Sequence, residues 1–317
     1  MILLSSKVKQ FLVFSIKLLV VVGAFYFIYN QLSKNTKINW DSFYNLLNAK
    51  ATLSSIFFIL SLSFLNRFFE ILKWQNLVST IKPISIFEAT KQVLAALTAG
   101  IFTPNGVGEY AGKALYYPKE ATKNIIFLNL ICNGIQMIIT IFFGTLGLFV
   151  LKFYKVGTFI LVIILVFFII IVTVKKIKIK GYSIQKLVIA INEIPKKVHR
   201  KNIILGLLRY LIFTHQFYFL FLIFGVNVPY YLMIASKSCI YFLSSSLPSF
   251  QFLDFAVKGS VAVYYLGLLG VNEYIVIIVT TLMWFLNVVI PIVIGSFFVL
   301  TYKSRLNNEK VNDKIEI

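Results

Sequence analysis

Apolar residues run along this chain in long blocks, not in the alternating or three-to-four spacing of a soluble fold. A helix needs about 20 mostly apolar residues to cross a bilayer. Six blocks meet that length: residues 11–29, 52–72, 124–150, 156–174, 203–225 and 274–301. Lys7 and Lys9 precede the first block, and Tyr26 and Tyr29 close it. No small-residue cleavage site follows, so it reads as an uncleaved first span and not as a signal peptide. Between the blocks lie two apolar regions of another kind, about 84–120 and 229–270. Each is broken in the middle by a proline, Pro104 or Pro248, and carries ionisable residues just past the break. The pattern predicts an all-α integral membrane protein of one polytopic domain, with about six transmembrane helices and two re-entrant helical hairpins.

The broken regions read as copies of each other. "TPNGVGEYAGKALYY" (103–117) carries Glu109, an aromatic, an alanine and Lys113; "LPSFQFLDFAVKGSVAVYY" (247–265) carries Asp254, an aromatic, an alanine and Lys258. Both end in a tyrosine pair, and the acidic residues lie 145 positions apart. Shifting 52–72 and 124–150 by the same 145 gives 197–217 and 269–295, which overlap 203–225 and 274–301. One unit of span, broken hairpin and span therefore occurs twice, as repeat A (about 52–150) and repeat B (about 203–301). A five-residue match alone is within reach of chance; the overlapping spans and the hairpin prolines make chance a much poorer account and favour a real repeat.

Composition and charge fit this picture. Hydrophobic residues make up 59% of the chain and charged ones 13%, about half the charged share of a soluble domain. A net charge of +20 raises the question of nucleic acid. The lysines gather at the ends of apolar blocks and in one loop, however, which is the signature of membrane topology and anionic headgroups. Residues 175–201 hold nine Lys/Arg and one Glu, and the tail (302–317) carries Lys303, Arg305, Lys310 and Lys314. The positive-inside rule puts both on the cytoplasmic face, here of a bacterial inner membrane, together with the N-terminus. Counting spans, repeat A begins outside and repeat B inside. Lys34, Lys37 and Lys50 then fall outside, a mild violation. Such an inverted repeat is the architecture many secondary transporters use for alternating access.

The hairpins have a physical logic. Non-helical backbone survives at membrane depth only where protein or water satisfies it. Pro104 and Pro248 end half-helices, while Gly106 and Gly108 allow positive φ and close backbone approach. Glu109 to Lys113 and Asp254 to Lys258 are i, i+4 steps with the acid first, the favourable order on a helix. Each acid falls near a helix start, where the macrodipole favours it. Two readings follow. Each pair is either a neutralised salt bridge that stabilises its hairpin, or part of a polar cavity that the two hairpins build together; the doubling favours the cavity. Arg209, well inside its span, joins the candidate gating set of Pro104, Gly106, Gly108, Glu109, Lys113, Pro248, Asp254 and Lys258. A second group comprises Arg67 and Glu70 on 52–72, Gln136 on 124–150 and His215 on 203–225. For Arg67 the alternative is snorkelling to the interface; for His215 it is a hydrogen-bonded interior imidazole. Lys73 and Trp74 read as an interfacial anchor. Asn129, Asn133 and Gln136 form a stripe that should face protein or cavity. Cys132 and Cys239 read as buried structural thiols.

No metal-ligand spacing, P-loop, dinucleotide fingerprint or activated nucleophile stands out, so neither a cofactor nor an enzyme activity is expected. "TPNGVGEYAGKA" resembles the proline–glycine–acid motif of the lysylphosphatidylglycerol synthase transmembrane (flippase-like) family, and "RFFEILKWQNLV" resembles the stretch that ends that family's second span. Length and hydropathy layout extend the resemblance over nearly the whole chain. It implies two re-entrant hairpins in inverted arrangement, with Pro104, Gly106, Gly108 and Glu109 at the first tip and Asp254 in the second. It also implies movement of lipids between leaflets. Asn105 stands where the family often has glycine, and the short tail after the last span predicts a stand-alone member without the aminoacyl-transferase domain of the full-length synthases, so synthase activity is not implied. The expected partners are membrane lipids: an anionic or aminoacylated phospholipid, or a polyprenyl-linked substrate. The alternatives are a non-transporting scaffold of a glycosyltransferase or lipid-modifying enzyme, and an integral membrane transferase using a lipid donor.

Overall fold

The computed structural model describes residues 51–101, 103, 106–174, 184–247 and 254–302, together with isolated positions between 15 and 45. Most of the first span (11–29), Pro104, Pro248, residues 175–183 and the tail beyond Tyr302 lie outside the described residues, as does the side chain of Asp254. The described residues form helices α1 (Leu53–Val78), α2 (Ile86–Gly100), α3 (Gly108–Ala114), α4 (Thr122–Val150), α5 (Tyr154–Val174) and α6 (Ile184–Glu193). They continue with α7 (Lys196–Ile223), α8 (Tyr230–Ser246), α9 (Asp254–Gly267), α10 (Glu273–Trp284) and α11 (Ile290–Thr301). Among the described residues, five segments are long and apolar enough to cross a membrane: α1, α4 with the short turn before it, α5, α7, and α10 joined to α11. The chain is an all-α membrane protein.

Local chemistry sets the helix starts. Thr52 with Ser55, and Ser85 with Glu88, form reciprocal capping boxes that satisfy the first backbone donors of α1 and α2. Pro195 and Pro229 stand immediately before α7 and α8, where a missing N–H costs nothing. Two boundaries differ from the sequence expectation. Helix α1 runs to Val78, past position 72, because Trp74, Leu77 and Val78 are wholly buried. Helix α7 begins at Lys196, not at 203, so the last basic residues of the 175–201 segment form its first turns.

The two regions that sequence marks as broken are helical hairpins. At about 1.5 Å per residue, none of α2, α3, α8 and α9 reaches the roughly 30 Å of a hydrocarbon core. Helices α2 and α3 fold back on each other: Gly112 lies against Ala96, and Gly108 against Ala99. Helix α8 packs on α9 in the same way.

The repeat is visible in the packing. Shifted by 145, α1 maps onto 198–223 and α2 onto 231–245, close to the bounds of α7 and α8. Helices α1 and α7 are joined by Phe58 to Phe219, Ser63 to Gln216, Glu70 to Arg209 and Asn76 to Val198. One number rises as the other falls, so the equivalent helices are antiparallel and the two units run in opposite directions. Two apolar cores form. Trp74, Leu77, Ile125 and Cys132 centre the one in repeat A; Phe217, Phe221, Leu266 and Ile278 centre the other, which Ile59 of α1 and Leu148 of α4 also enter. The units also interlock. Helix α2 packs on α11, with Leu97 and Ile101 clustered with Ile292 and with Trp284 at the end of α10, and α8 packs on α4.

Candidate functional site

The first hairpin turns between Gly100 and Gly108, and Thr103 holds it. Its hydroxyl donates to the Gly100 carbonyl at 2.6 Å and accepts the Gly108 N–H at 2.8 Å. One side chain thus satisfies the end of α2 and the start of α3. Gly106 has φ +68°, the left-handed region that glycine enters without strain. A Cβ on Gly108 would lie 3.0 Å from both the Ala99 carbonyl oxygen and the Thr103 methyl, so the tight turn requires glycine there. Both glycine roles expected from sequence are present. Thr103 escaped the sequence reading, although its place before the proline is a turn-former's position. Glu109 sits in the first turn of α3 and faces a cavity of about 210 Å³.

The cavity lies where the antiparallel units meet. Helix α1 supplies Asn66, Arg67 and Glu70, and α7 supplies Arg209. The hairpins supply Glu109, Lys237 and Lys258, with Tyr241 between the two lysines. Arg209 is ion-paired with Glu70, which joins repeat B to repeat A at the centre of the antiparallel contact. The Lys237 ammonium lies over the rings of Phe213, Phe217 and Tyr241 at 4.4, 4.5 and 4.7 Å, and the Lys258 ammonium lies 5.1 Å from the Tyr241 centroid. Such cation–π contacts partly replace lost hydration. Lys237 was not singled out in the sequence. Its only signal is a lysine inside an apolar stretch, flanked by Ser236 and Ser238.

A chain of amides closes one wall. Gln216 Nε2 donates to Ser63 Oγ at 2.5 Å, and its Oε1 accepts from Asn287 Nδ2 at 3.0 Å. Asn287 Oδ1 in turn accepts from Asn66 Nδ2 at 2.7 Å. The backbone is irregular at this depth: residues Phe285–Val289 form a π turn. Four residues after Asn287 comes Pro291, which lacks the N–H an α-helix would offer to the Asn287 carbonyl. Arg67 fills that place, with Nη2 donating to the Asn287 carbonyl at 2.5 Å. The freed carbonyl is satisfied by protein, as membrane depth requires.

Of the sequence candidates with described side chains, Arg67, Glu70, Glu109, Arg209 and Lys258 meet in this cavity. Lys113 lies elsewhere. It is buried, donates to Asn129 Oδ1 at 2.6 Å and stands 4.5 Å from the Trp74 ring. Gln136 Oε1 accepts from Lys73 at 3.4 Å, and Asn133 donates to the Tyr110 hydroxyl at 3.2 Å, so all three members of the α4 polar stripe have protein partners. His215 is hydrogen-bonded to the Leu211 carbonyl and the Tyr230 hydroxyl, both at 2.7 Å, away from the cavity. The interfacial anchor expected at Lys73 and Trp74 is not one. Both are fully buried: Lys73 donates to the Cys132 carbonyl at 3.0 Å, and Trp74 Nε1 donates to Gln92 Oε1 at 2.7 Å. The extension of α1 to Val78 carries them inside the packed unit. Cys132 and Cys239 are buried free thiols, as expected.

No family model matches the chain, and no curated protein matches it.

Proposed function

We propose that this protein moves a phospholipid or lipid-linked headgroup between the leaflets of a bacterial inner membrane. In this reading both termini and the basic 175–201 segment face the cytoplasm, where positive loops are retained. One observation carries the proposal: a charged cavity, lined from both hairpins, at the junction of two oppositely directed units. Charges at membrane depth cost about 2.5–3.5 kcal/mol each on insertion scales, and chains that keep several gathered around a cavity use them on a substrate path. Inverted units meeting at such a site supply the symmetry for opening alternately to either side. The headgroup would enter the cavity while the acyl chains stay in lipid. The resemblance of "TPNGVGEYAGKA" to the flippase-like family points the same way.

The test is leaflet exposure of fluorescently labelled phospholipids in vesicles reconstituted with the purified protein. Wild type should accelerate exchange over protein-free vesicles, and Glu109→Ala/Lys258→Ala should lose most of the acceleration. Equal rates for wild type, variant and empty vesicles would overturn the proposal.

A further inference from the structure

The hydrogen-bond chain around Asn287 leaves a defined set of unsatisfied atoms. Asn287 uses Nδ2 on Gln216 and on the Met283 carbonyl, so its Oδ1 is the acceptor for Asn66 Nδ2. That fixes the orientation of the Asn66 amide and leaves Asn66 Oδ1 buried with no hydrogen-bond partner. Arg67 Nε and Arg209 Nε, on two other residues that line the cavity, are also buried without a partner. Arg67 is otherwise engaged through Nη2 with the Asn287 carbonyl, and Arg209 through Nη1 with Glu70. Arg67 Nε, Arg209 Nε and Asn66 Oδ1, from the two oppositely directed units, are therefore unsatisfied on residues that line one cavity; Glu70 Oε2, also without a hydrogen bond, is held by its ion pair with Arg209. Buried polar atoms in this state call for an occupant.

Charge and size narrow the occupant. Among the described residues, the lining holds four cationic side chains (Arg67, Arg209, Lys237 and Lys258) and two carboxylates (Glu70 and Glu109). The balance favours an anion. Paired guanidinium groups match phosphate oxygens by geometry as well as by charge. An unused acceptor on the same lining as the unused donors points further, to an oxyanion that also carries a hydroxyl. A phosphomonoester presents both features in its monoanion, the form that prevails below its second pKa near 6, whereas a phosphodiester has no hydroxyl on phosphorus. At about 210 Å³ the cavity is smaller than the roughly 300–1,000 Å³ of drug-sized ligand sites. It suits a compact headgroup and not a saccharide.

We propose that the cavity is a binding site for a lipid phosphomonoester, its phosphate clamped between Arg67 and Arg209 with Asn66 accepting its hydroxyl. This rests on the translocation reading for its lipid source, but the recognition chemistry stands apart from transport.

The test measures thermal stabilisation of the full chain in detergent by four probes: short-chain phosphatidic acid, phosphatidylglycerol, phosphatidylcholine and inorganic phosphate. Phosphatidic acid should bind about tenfold tighter than either diester lipid, a gap of about 1.4 kcal/mol. Inorganic phosphate should bind more weakly than phosphatidic acid. Lys258→Gln should narrow the preference over phosphatidylcholine severalfold, and Asn66→Leu should narrow the preference over phosphatidylglycerol. Each variant is read against its own melting temperature without ligand, so a folding defect is distinguished from lost recognition. Equal binding of the three lipids would overturn the proposal, as would inorganic phosphate matching phosphatidic acid. Selective binding without leaflet exchange would leave the site standing and defeat the translocation reading; exchange without headgroup preference would do the reverse.

Discussion

Arg67 and Pro291 are coupled by a single carbonyl, and that coupling is measurable. Proline at 291 withholds the N–H that would satisfy Asn287, and Arg67 donates to the carbonyl at 2.5 Å instead. Replacing Arg67 with methionine leaves the carbonyl bare, while Pro291→Ala supplies an alternative donor from within the helix. Hydrogen bonds that involve a charged group are worth about 1.5–3 kcal/mol in soluble proteins. Interhelical ones in membranes average about 0.6 kcal/mol and reach about 1.7. For a charged donor on a carbonyl with no helical alternative, Arg67→Met should cost about 1–2 kcal/mol in wild type and at most about 0.5 kcal/mol in the Pro291→Ala background. The assay is reversible unfolding in mixed detergent micelles, titrated with a denaturing detergent and followed by circular dichroism, for all four corners of the cycle. A cost for Arg67→Met that is the same in both backgrounds, within the roughly 0.3–0.5 kcal/mol over which independent sites add, would refute the account of the π turn.

Two further outcomes follow from contacts described above. Arg209→Met strands Glu70 without its ion-pair partner and should destabilise the protein by about 3–5 kcal/mol; Glu70→Gln in the same chain should recover much of this in the same unfolding titration. Thr103→Val keeps the shape of the side chain but removes both hairpin hydrogen bonds, so amide hydrogen exchange at the start of α3 should quicken by one to two orders of magnitude, in line with about 1–3 kcal/mol of lost local stability, while α4 is unchanged.

Much of the architecture is legible in the sequence because its signals are local. A proline inside an apolar run, followed by an acid and a lysine four residues on, has few uses at membrane depth, and the recurrence of that acid-to-lysine step 145 positions later marks the repeat before any helix is placed. The cavity is legible only in part. Arg67, Glu70, Glu109, Arg209 and Lys258 each stand out as charges in apolar surroundings, but that Glu70 pairs with Arg209 depends on the antiparallel docking of α1 and α7, which no local pattern encodes. Lys73 and Trp74 show the converse. A lysine–tryptophan step looks the same at a membrane interface and inside a packed unit. What separates them is the further turn of α1 to Val78, buried by α2 and α4. Lys237 gives no spacing cue at all, because its aromatic partners come from α7 as well as from its own helix.

The interlocking of α2 with α11 also bears on how the chain is made. Thr98 Oγ1 reaches the Ile292 carbonyl at 3.3 Å across 194 residues, and Gly295 is so close to α2 that a Cβ there would collide with the Leu94 carbonyl and the Thr98 hydroxyl. At ribosomal rates of about 5–20 residues per second, roughly 10–40 s separate the synthesis of these two surfaces. Throughout that interval the first hairpin, too short to span and lacking its final partner, has to be sheltered at the insertion machinery or by α1 and α4. The last span is thus a clasp. A nascent chain stalled before α11 is expected to remain accessible to insertase crosslinkers and to membrane proteases, and release should coincide with the arrival of residues 290–301.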